Sequence, residues 1–99
     1  MNVNFLKNGT TLTVKPEGRM DIATSPELYR QIQPELEGVT AIIMDLEKVE
    51  YVSSAGLRLL LELEQRMGEL GGGITVTHAN KYIMEIFDIT GVRNILHVE

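Results

Sequence analysis

Hydrophobic and polar residues alternate along the first part of the chain. Val3 and Phe5 precede a polar Asn-Gly pair at positions 8–9, and Leu12 and Val14 alternate with threonines after it. A period of two is the pattern of a half-buried strand, and Asn-Gly is a frequent pair in tight hairpin turns. The pattern therefore predicts two antiparallel strands joined by a hairpin.

The spacing of the apolar residues then changes to that of a helix, with Leu28, Ile32 and Leu36 recurring every four positions. Thr24 and Glu27 have the spacing of a capping box, in which a threonine and a glutamate satisfy the first N–H groups of a helix. Pro34 is expected to kink or shorten this helix, because proline lacks an N–H group.

Two longer apolar segments follow in the middle of the chain. Residues 41–44 are continuously apolar, which predicts a strand covered on both faces. Residues 57–70 predict the longest helix, whose apolar residues cover more than half of its circumference, with Glu64 falling inside that arc. Such a helix either packs against both a sheet and another helix or keeps an apolar margin for a partner. The first interpretation is favoured, because neighbouring helices are the rule in layered folds.

The last third of the chain adds two strands and one helix. Residues 74–76 and 95–98 predict strands, and between them Asn80 can cap a helix that Gly91 ends. The predicted order is β-β-α-β-α-β-α-β in one α/β domain over residues 1–99. Alternating strands and helices predict a mixed, mostly parallel sheet with right-handed crossovers.

Length and composition narrow the class of protein. The chain has 99 residues, enough for one core with a radius of gyration of roughly 13 Å. It has no cysteine, which excludes disulfides, thiol redox chemistry and cysteine-ligated metals. No apolar run reaches the roughly 18 residues of a membrane span, and the first residues do not resemble a signal peptide. A cytoplasmic location is expected.

Charge excludes one class of partner. Nine basic and fourteen acidic residues give a net charge of −5, and the cations are scattered singly. Nucleic acid binding requires clustered lysine and arginine, so we expect another protein or a small molecule as partner. No set of oxygen ligands converges in the sequence, and we expect neither a metal nor a cofactor.

Enzyme motifs are scarce. The chain lacks a Gly-x-Ser-x-Gly elbow, a His-Glu-x-x-His pair and a P-loop. Ser54, His78 and Asp45 could be written as a triad, but a triad is defined by geometry and their spacing does not predict one. We therefore expect a protein that is not an enzyme.

The segment from Tyr51 to Leu57 joins a predicted connector at 49–54 to the longest helix. On the residues alone, the favoured interpretation is that one serine, Ser53 or Ser54, caps the helix. A second interpretation is regulatory. A phosphate on such a serine would lie at the positive end of the helix dipole and add nearly two negative charges, which a docked partner would sense as repulsion.

Three stretches resemble one protein family. They are residues 18–28, residues 42–46 leading to 51–58, and the Gly91-Val92 step after the last predicted helix. Together they resemble the STAS family and, within it, the bacterial anti-sigma factor antagonists. The resemblance spans most of the chain and preserves the same order of elements.

The resemblance implies a regulatory switch. Such antagonists bind an anti-sigma factor that is also a serine kinase, and this frees the sigma factor for transcription. Phosphorylation of one serine ends the interaction, and a serine phosphatase restores it. Aligned on Gly56-Leu57, that phosphoserine falls on Ser54, and Asp21 matches an acid associated with kinase recognition. The implied partner-binding residues are Asp21, Thr24, Ser53, Ser54, Ala55, Gly56, Leu57 and Arg58.

Two positions depart from the family pattern. The family commonly has aspartate before the phosphoserine, where this chain has Ser53, and often serine or threonine at the position of Ala55. Ser53 is therefore the second choice for the phosphorylated residue. These departures keep open an alternative function, a STAS scaffold without a phosphorylation switch inside a transporter accessory or stressosome-like assembly. We expect a monomer or a weak dimer.

Overall fold

The fold places seven strands in two sheets and packs three helices against the larger one. The computed structural model describes residues 1–99. The larger sheet has the order β1-β2-β4-β6-β7, in which only the β1–β2 pair is antiparallel. The smaller sheet pairs β3 with β5 in parallel. The strands are β1 Val3–Asn8, β2 Thr11–Pro16, β3 Gly18–Met20, β4 Ala41–Asp45, β5 Val49–Val52, β6 Ile74–Thr77 and β7 His97–Val98. The helices are α1 Thr24–Ile32, α2 Ser54–Glu69 and α3 Lys81–Thr90.

All three helices cover the same face of the larger sheet. Its strand order runs in one direction along the chain, so right-handed crossovers place every helix on one side. The side chains on that face are buried, namely Leu12, Val14, Ile42, Met44, Ile74 and Val76. On the other face Ile43 is only half-buried, beside Thr13 and Thr75 of the neighbouring strands. The expectation that 41–44 is covered on both faces is wrong, because no crossover passes over the second face.

The smaller sheet is the main correction to the predicted order of elements. Residues 49–52, interpreted as part of a connector, form β5, and residues 18–20 form its partner β3. Both strands are short, and their pairing joins segments about thirty residues apart. The sequence around each strand therefore contains no local pattern that predicts the pairing. The last strand is also shorter than expected, since Val92–Asn94 forms one turn of 3₁₀ helix and only residues 97–98 pair.

Several local predictions are confirmed. The hairpin forms, with Asn8 opposite Thr11 and Gly9 at a φ of 63°. The first helix ends at Ile32, and Pro34 lies in the 3₁₀ turn that follows. The third helix begins where Asn80 Oδ1 accepts a hydrogen bond from the Ile83 N–H at 2.9 Å. It ends at Gly91, as predicted.

The wide apolar arc of α2 is explained by its central position. The helix packs against both α1 and the sheets, as the favoured interpretation predicts. Glu64, the polar residue within the arc, is half-buried, and its Oε1 accepts a hydrogen bond from the Ile74 N–H at 3.1 Å. This bond fixes the start of β6 beneath the helix. The radius of gyration of 12.2 Å is close to the expected value.

Candidate functional site

The first residues of α1 and α2 lie side by side. The parallel strands β3 and β5 end in register at Met20 and Val52, and the chain continues from them into Asp21 and Ser53. The Ser53 N–H donates to the Met20 carbonyl oxygen at 2.8 Å, which fixes the two segments together. Because β3 and β5 run in the same direction, the chain leaves both strands at the same end of the small sheet, and two helix N-termini lie there.

The N-terminus of α1 holds a carboxylate. Asp21 Oδ1 accepts hydrogen bonds from the Ala23 and Thr24 N–H groups, both at 3.0 Å. Thr24 Oγ1 accepts from the Asp21 N–H at 2.9 Å and donates to the Arg19 carbonyl oxygen at 2.5 Å. The predicted capping box of Thr24 and Glu27 is wrong: Ala23 is the N-cap residue, the Ala23 and Thr24 N–H groups bond to Asp21, and Glu27 instead pairs with the amino terminus.

These contacts lower the pKa of Asp21. The largest cause is the hydrogen bond from the Thr24 N–H, and desolvation of the carboxyl group acts in the opposite direction. The Ala23 N–H, the Thr24 hydroxyl and the Arg19 guanidinium lower the pKa further. Asp21 is therefore ionised at neutral pH, and a full negative charge lies at the positive end of α1.

The N-terminus of α2 has no such charge. Ser53 is its cap, with Oγ accepting a hydrogen bond from the Ala55 N–H at 3.2 Å and its carbonyl oxygen accepting from the Leu57 N–H at 2.9 Å. Ser54, the first helical residue, is exposed, and its hydroxyl makes no hydrogen bond. No acidic residue lies in the first turn. The capping interpretation thus holds for Ser53 and leaves Ser54 free.

The remaining predicted residues divide by burial. Ala55 is half-buried and Arg58 is exposed, whereas Gly56 is buried and Leu57 is only 8% exposed. A Cβ atom on Gly56 would lie 2.7 Å from the Met20 carbonyl oxygen, so glycine is what allows α2 to approach the small sheet so closely. The predicted residues with accessible surface are Asp21, Thr24, Ser53, Ser54, Ala55 and Arg58.

A groove of about 400 Å³ runs between α1 and α2 beside this site. We call it the α1–α2 groove; its lining includes Ile22, Pro26, Tyr29, Arg30, Arg58 and Glu62. Ile22 is 82% exposed at its rim. Except for Arg58, none of these residues is predicted from the sequence to be functional, because the packing of one helix beside another leaves no motif in the sequence.

Arg19 and Tyr51 form a second feature that the sequence analysis missed. They are partners in the β3–β5 pair, and the Arg19 guanidinium lies 4.6 Å from the centre of the Tyr51 ring. Arg19 Nε also lies 3.8 Å from Asp21 Oδ2. This cation is therefore already engaged by a ring and a carboxylate. The contact between Arg19 and Tyr51 can be recognised only once residues 49–52 are known to form a strand beside β3.

The residues considered for a triad do not all meet. His78 Nδ1 lies 3.1 Å from Asp45 Oδ1, where β4 and β6 end, but no hydrogen bond joins His78 to Ser54. His78 is 61% exposed and adopts a positive φ of 59°. No three His, Cys, Asp or Glu side chains are grouped as a metal site would need. No helix combines the length and apolar character needed to cross a membrane.

Comparison with known proteins identifies the family. The model described as "Mlab, STAS domain" matches residues 3–97, and the chain therefore belongs to the STAS domain family. A relative from Staphylococcus epidermidis named anti-sigma-B factor antagonist is 27% identical over 99 residues, covering 99% of this chain and 92% of the relative.

Solved structures share the fold. The anti-sigma factor antagonist SpoIIAA in its unphosphorylated form superposes with a TM-score of 0.77 at 15% identity, over 99% of this chain and 87% of that chain. The phosphorylated form of Bacillus SpoIIAA gives 0.75 at 16% identity, over 99% and 91%. The murine anion transporter Solute Carrier 26 family member A9 gives 0.78 at 16% identity, over 94% of this chain and 16% of the transporter. At these identities the superpositions establish the fold alone.

Proposed function

We propose that this protein is an anti-sigma factor antagonist, a cytoplasmic switch without catalytic activity of its own. It binds an anti-sigma factor that is also a serine kinase and so releases the sigma factor for transcription. The observation that carries the proposal is the exposed, unbonded hydroxyl of Ser54 at the start of α2, in a first turn without an acidic residue. The curated relatives named anti-sigma-B factor antagonist support the same function.

Ser54 is the phosphorylated residue in this proposal. The kinase transfers the γ-phosphoryl group of ATP to Ser54 Oγ, the hydroxyl proton is lost and ADP leaves; a serine phosphatase later hydrolyses the ester. Ser53 is the weaker acceptor, because its Oγ already accepts the hydrogen bond from the Ala55 N–H that caps the helix. Phosphorylating Ser53 would therefore disturb the cap, whereas the hydroxyl of Ser54 can be modified without the loss of a hydrogen bond of the fold.

The docking surface comprises the accessible residues around Ser54. Two further negative charges would appear there on a chain whose net charge is already −5. A partner that has excluded water from this surface would meet repulsion and an uncompensated charge, which costs several kcal/mol by order of magnitude. Phosphorylation thus ends binding without unfolding the domain. The contacting residues in this proposal are Asp21, Thr24, Ser53, Ser54, Ala55 and Arg58.

Phosphate mapping tests the proposal directly. The protein is incubated with its cognate kinase and ATP, and the modified residue is located by mass spectrometry. We expect phosphate on Ser54, its loss in Ser54→Ala and its retention in Ser53→Ala. Phosphate on neither serine would leave the scaffold function as the better explanation, and phosphate on Ser53 would reject our choice of residue.

Calorimetric binding to the same kinase measures the switch. Ser54→Asp should weaken binding about tenfold or more, since like charges across an interface are costly, while Ser54→Ala should bind as the unmodified protein does. Gln65→Glu is the matched control, because it adds the same charge to an exposed position of α2 roughly 16 Å further along the helix. Equal affinities for Ser54→Asp and Gln65→Glu would contradict a local effect at Ser54.

A further inference from the structure

Arg58 is the cation nearest to Ser54 along α2. It lies four residues further along the helix, is exposed and makes no ion pair. Glu62, four residues beyond Arg58, also lines the α1–α2 groove, yet the two side chains form no ion pair. Arg58 therefore has no ion-pair partner in the unphosphorylated protein.

The spacing of the two residues lets their side chains meet. Residues four apart on a helix share one face and can form an ion pair across one turn. A guanidinium binds phosphate through two parallel N–H···O bonds, which makes arginine the residue best suited to hold a phosphoserine. Ala55, the residue next to Ser54 on the groove side, is too small to separate the two groups.

The neighbouring charges favour the groove side for a phosphate. The ionised carboxylate of Asp21, at the start of α1, would repel a phosphate on Ser54 that turned toward it. Arg19 does not provide a second cation, because it already contacts the Tyr51 ring and Asp21. The charged residues that line the groove are two cations, Arg30 and Arg58, and one acid, Glu62, so its lining has a net positive charge.

We propose that Arg58 binds the phosphate group once Ser54 carries it and holds that group over the α1–α2 groove. Arg58 is a positioning residue in this role, and the proposal rests on phosphorylation of Ser54 as the proposed function has it. The pairing changes the docking surface in two ways: phosphorylation adds two negative charges, and Arg58 is no longer free to contact a partner. It also fixes the phosphate in one place, instead of leaving it mobile at the helix start.

The test measures the protonation of the phosphate itself. Phosphoserine is incorporated at position 54 during translation, in the unaltered sequence and in Arg58→Gln, Arg58→Lys and Arg66→Gln. The second ionisation of each phosphate, whose free pKa is about 6, is then followed by ³¹P NMR. A guanidinium in contact stabilises the dianion, so Arg58→Gln should raise the titration midpoint by about half a pH unit, a threefold change in the ionisation constant.

The control variant separates contact from general charge. Arg66→Gln removes the same charge from the same helix, three turns from Ser54 and beyond the Debye length of roughly 8 Å at physiological salt. We expect no shift of the titration midpoint for Arg66→Gln and an intermediate shift for Arg58→Lys. Lysine keeps the charge and the apolar stem but cannot donate two parallel hydrogen bonds to the phosphate. Equal midpoints in the unaltered and Arg58→Gln proteins, or equal shifts for Arg58→Gln and Arg66→Gln, would overturn the proposal. A kinase that ignores Ser54 would instead count against the proposed function, since this phosphate needs no kinase.

Discussion

The segments that lead into α1 and α2 begin at Asp21 and Ser53, each one residue beyond a paired end of the same small sheet, yet the two helix N-termini differ in charge. At α1 the carboxylate of Asp21 accepts two backbone hydrogen bonds, and Thr24 joins it to the preceding strand. At α2 the neutral hydroxyl of Ser53 accepts one longer bond, and Ser54 next to it makes none. The two helix dipoles present the same positive end, and only one of them is neutralised by a side chain.

This difference in charge determines which of the two helix starts can readily accept a further anion. An acid already bound to the free N–H groups of a helix leaves little gain for a second anion, and like-charge repulsion opposes it. A helix start held by a serine remains stable and can still accept a negative charge. The proposed phosphorylation of Ser54 accordingly falls at the neutral N-terminus, while Asp21 bonds to the N–H groups of the other one.

Close packing of α2 against the small sheet should give the largest effect on stability. Gly56→Ala would place a Cβ atom 2.7 Å from the Met20 carbonyl oxygen and 2.8 Å from Val52 Cγ1, and the backbone oxygen cannot move away without disturbing β3. We expect a loss of about 2 kcal/mol in the free energy of unfolding, the usual size of an overpacking penalty. Urea denaturation measures it.

Gly68→Ala is the matched control on the same helix. A Cβ atom there meets nothing within 4 Å, so the variant should gain about 0.5 kcal/mol from improved helix propensity. A similar response of the two variants would show that the start of α2 is not held by close contact with β3 and β5.

Replacement of the carboxylate at the start of α1 should have the next largest effect on stability. Asp21→Asn keeps the shape of the side chain but removes the charge that faces the N-terminus of α1, so we expect a less stable protein at neutral pH. Because the contacts lower the pKa of Asp21 in the folded state, its contribution is complete above the ordinary value of 3.8 and is lost as the pH falls through the lower folded value.

A pH series of denaturation curves checks this prediction. The stability difference between the unaltered protein and Asp21→Asn should be constant near neutral pH and should narrow in acid, below the ordinary pKa of an aspartate. A difference that does not change with pH would mean that the hydrogen-bond geometry of Asp21 matters and its charge does not. Ser53→Ala, which removes a neutral cap, should show no such narrowing.

The sequence predicted those parts of the fold that depend on nearby residues. The hairpin, the asparagine cap of α3 and the glycine that ends it are each determined within about four positions, and all are confirmed. The same holds for the site, since a Ser-Ser-Ala-Gly segment before an apolar helix predicts a serine cap. Which of the two serines is the cap follows only from the structure, where the φ and ψ angles of Ser53 are extended.

Contacts between distant segments could not be predicted in this way. The β3–β5 pair, the Arg19–Tyr51 contact and the α1–α2 groove each join residues about thirty positions apart. The capping error at α1 has a related cause. Thr24 and Glu27 match a local motif, but Asp21, where the chain leaves β3, accepts the hydrogen bond from the Thr24 N–H that the motif assigns to Glu27.

A single added acid at each helix start should give the smallest effect and the most direct test of the comparison. Ser54→Glu places a charge at the neutral N-terminus of α2 and should stabilise the fold by about 0.5 kcal/mol at low salt, an advantage that 1 M salt removes. Ala23→Glu, at an exposed position beside Asp21, should give no gain or a small loss. Thermal unfolding at low and high salt measures the stability of both variants. An equal, salt-sensitive gain in stability from the two variants would show that α1 can accept a second anion as readily as α2 accepts its first.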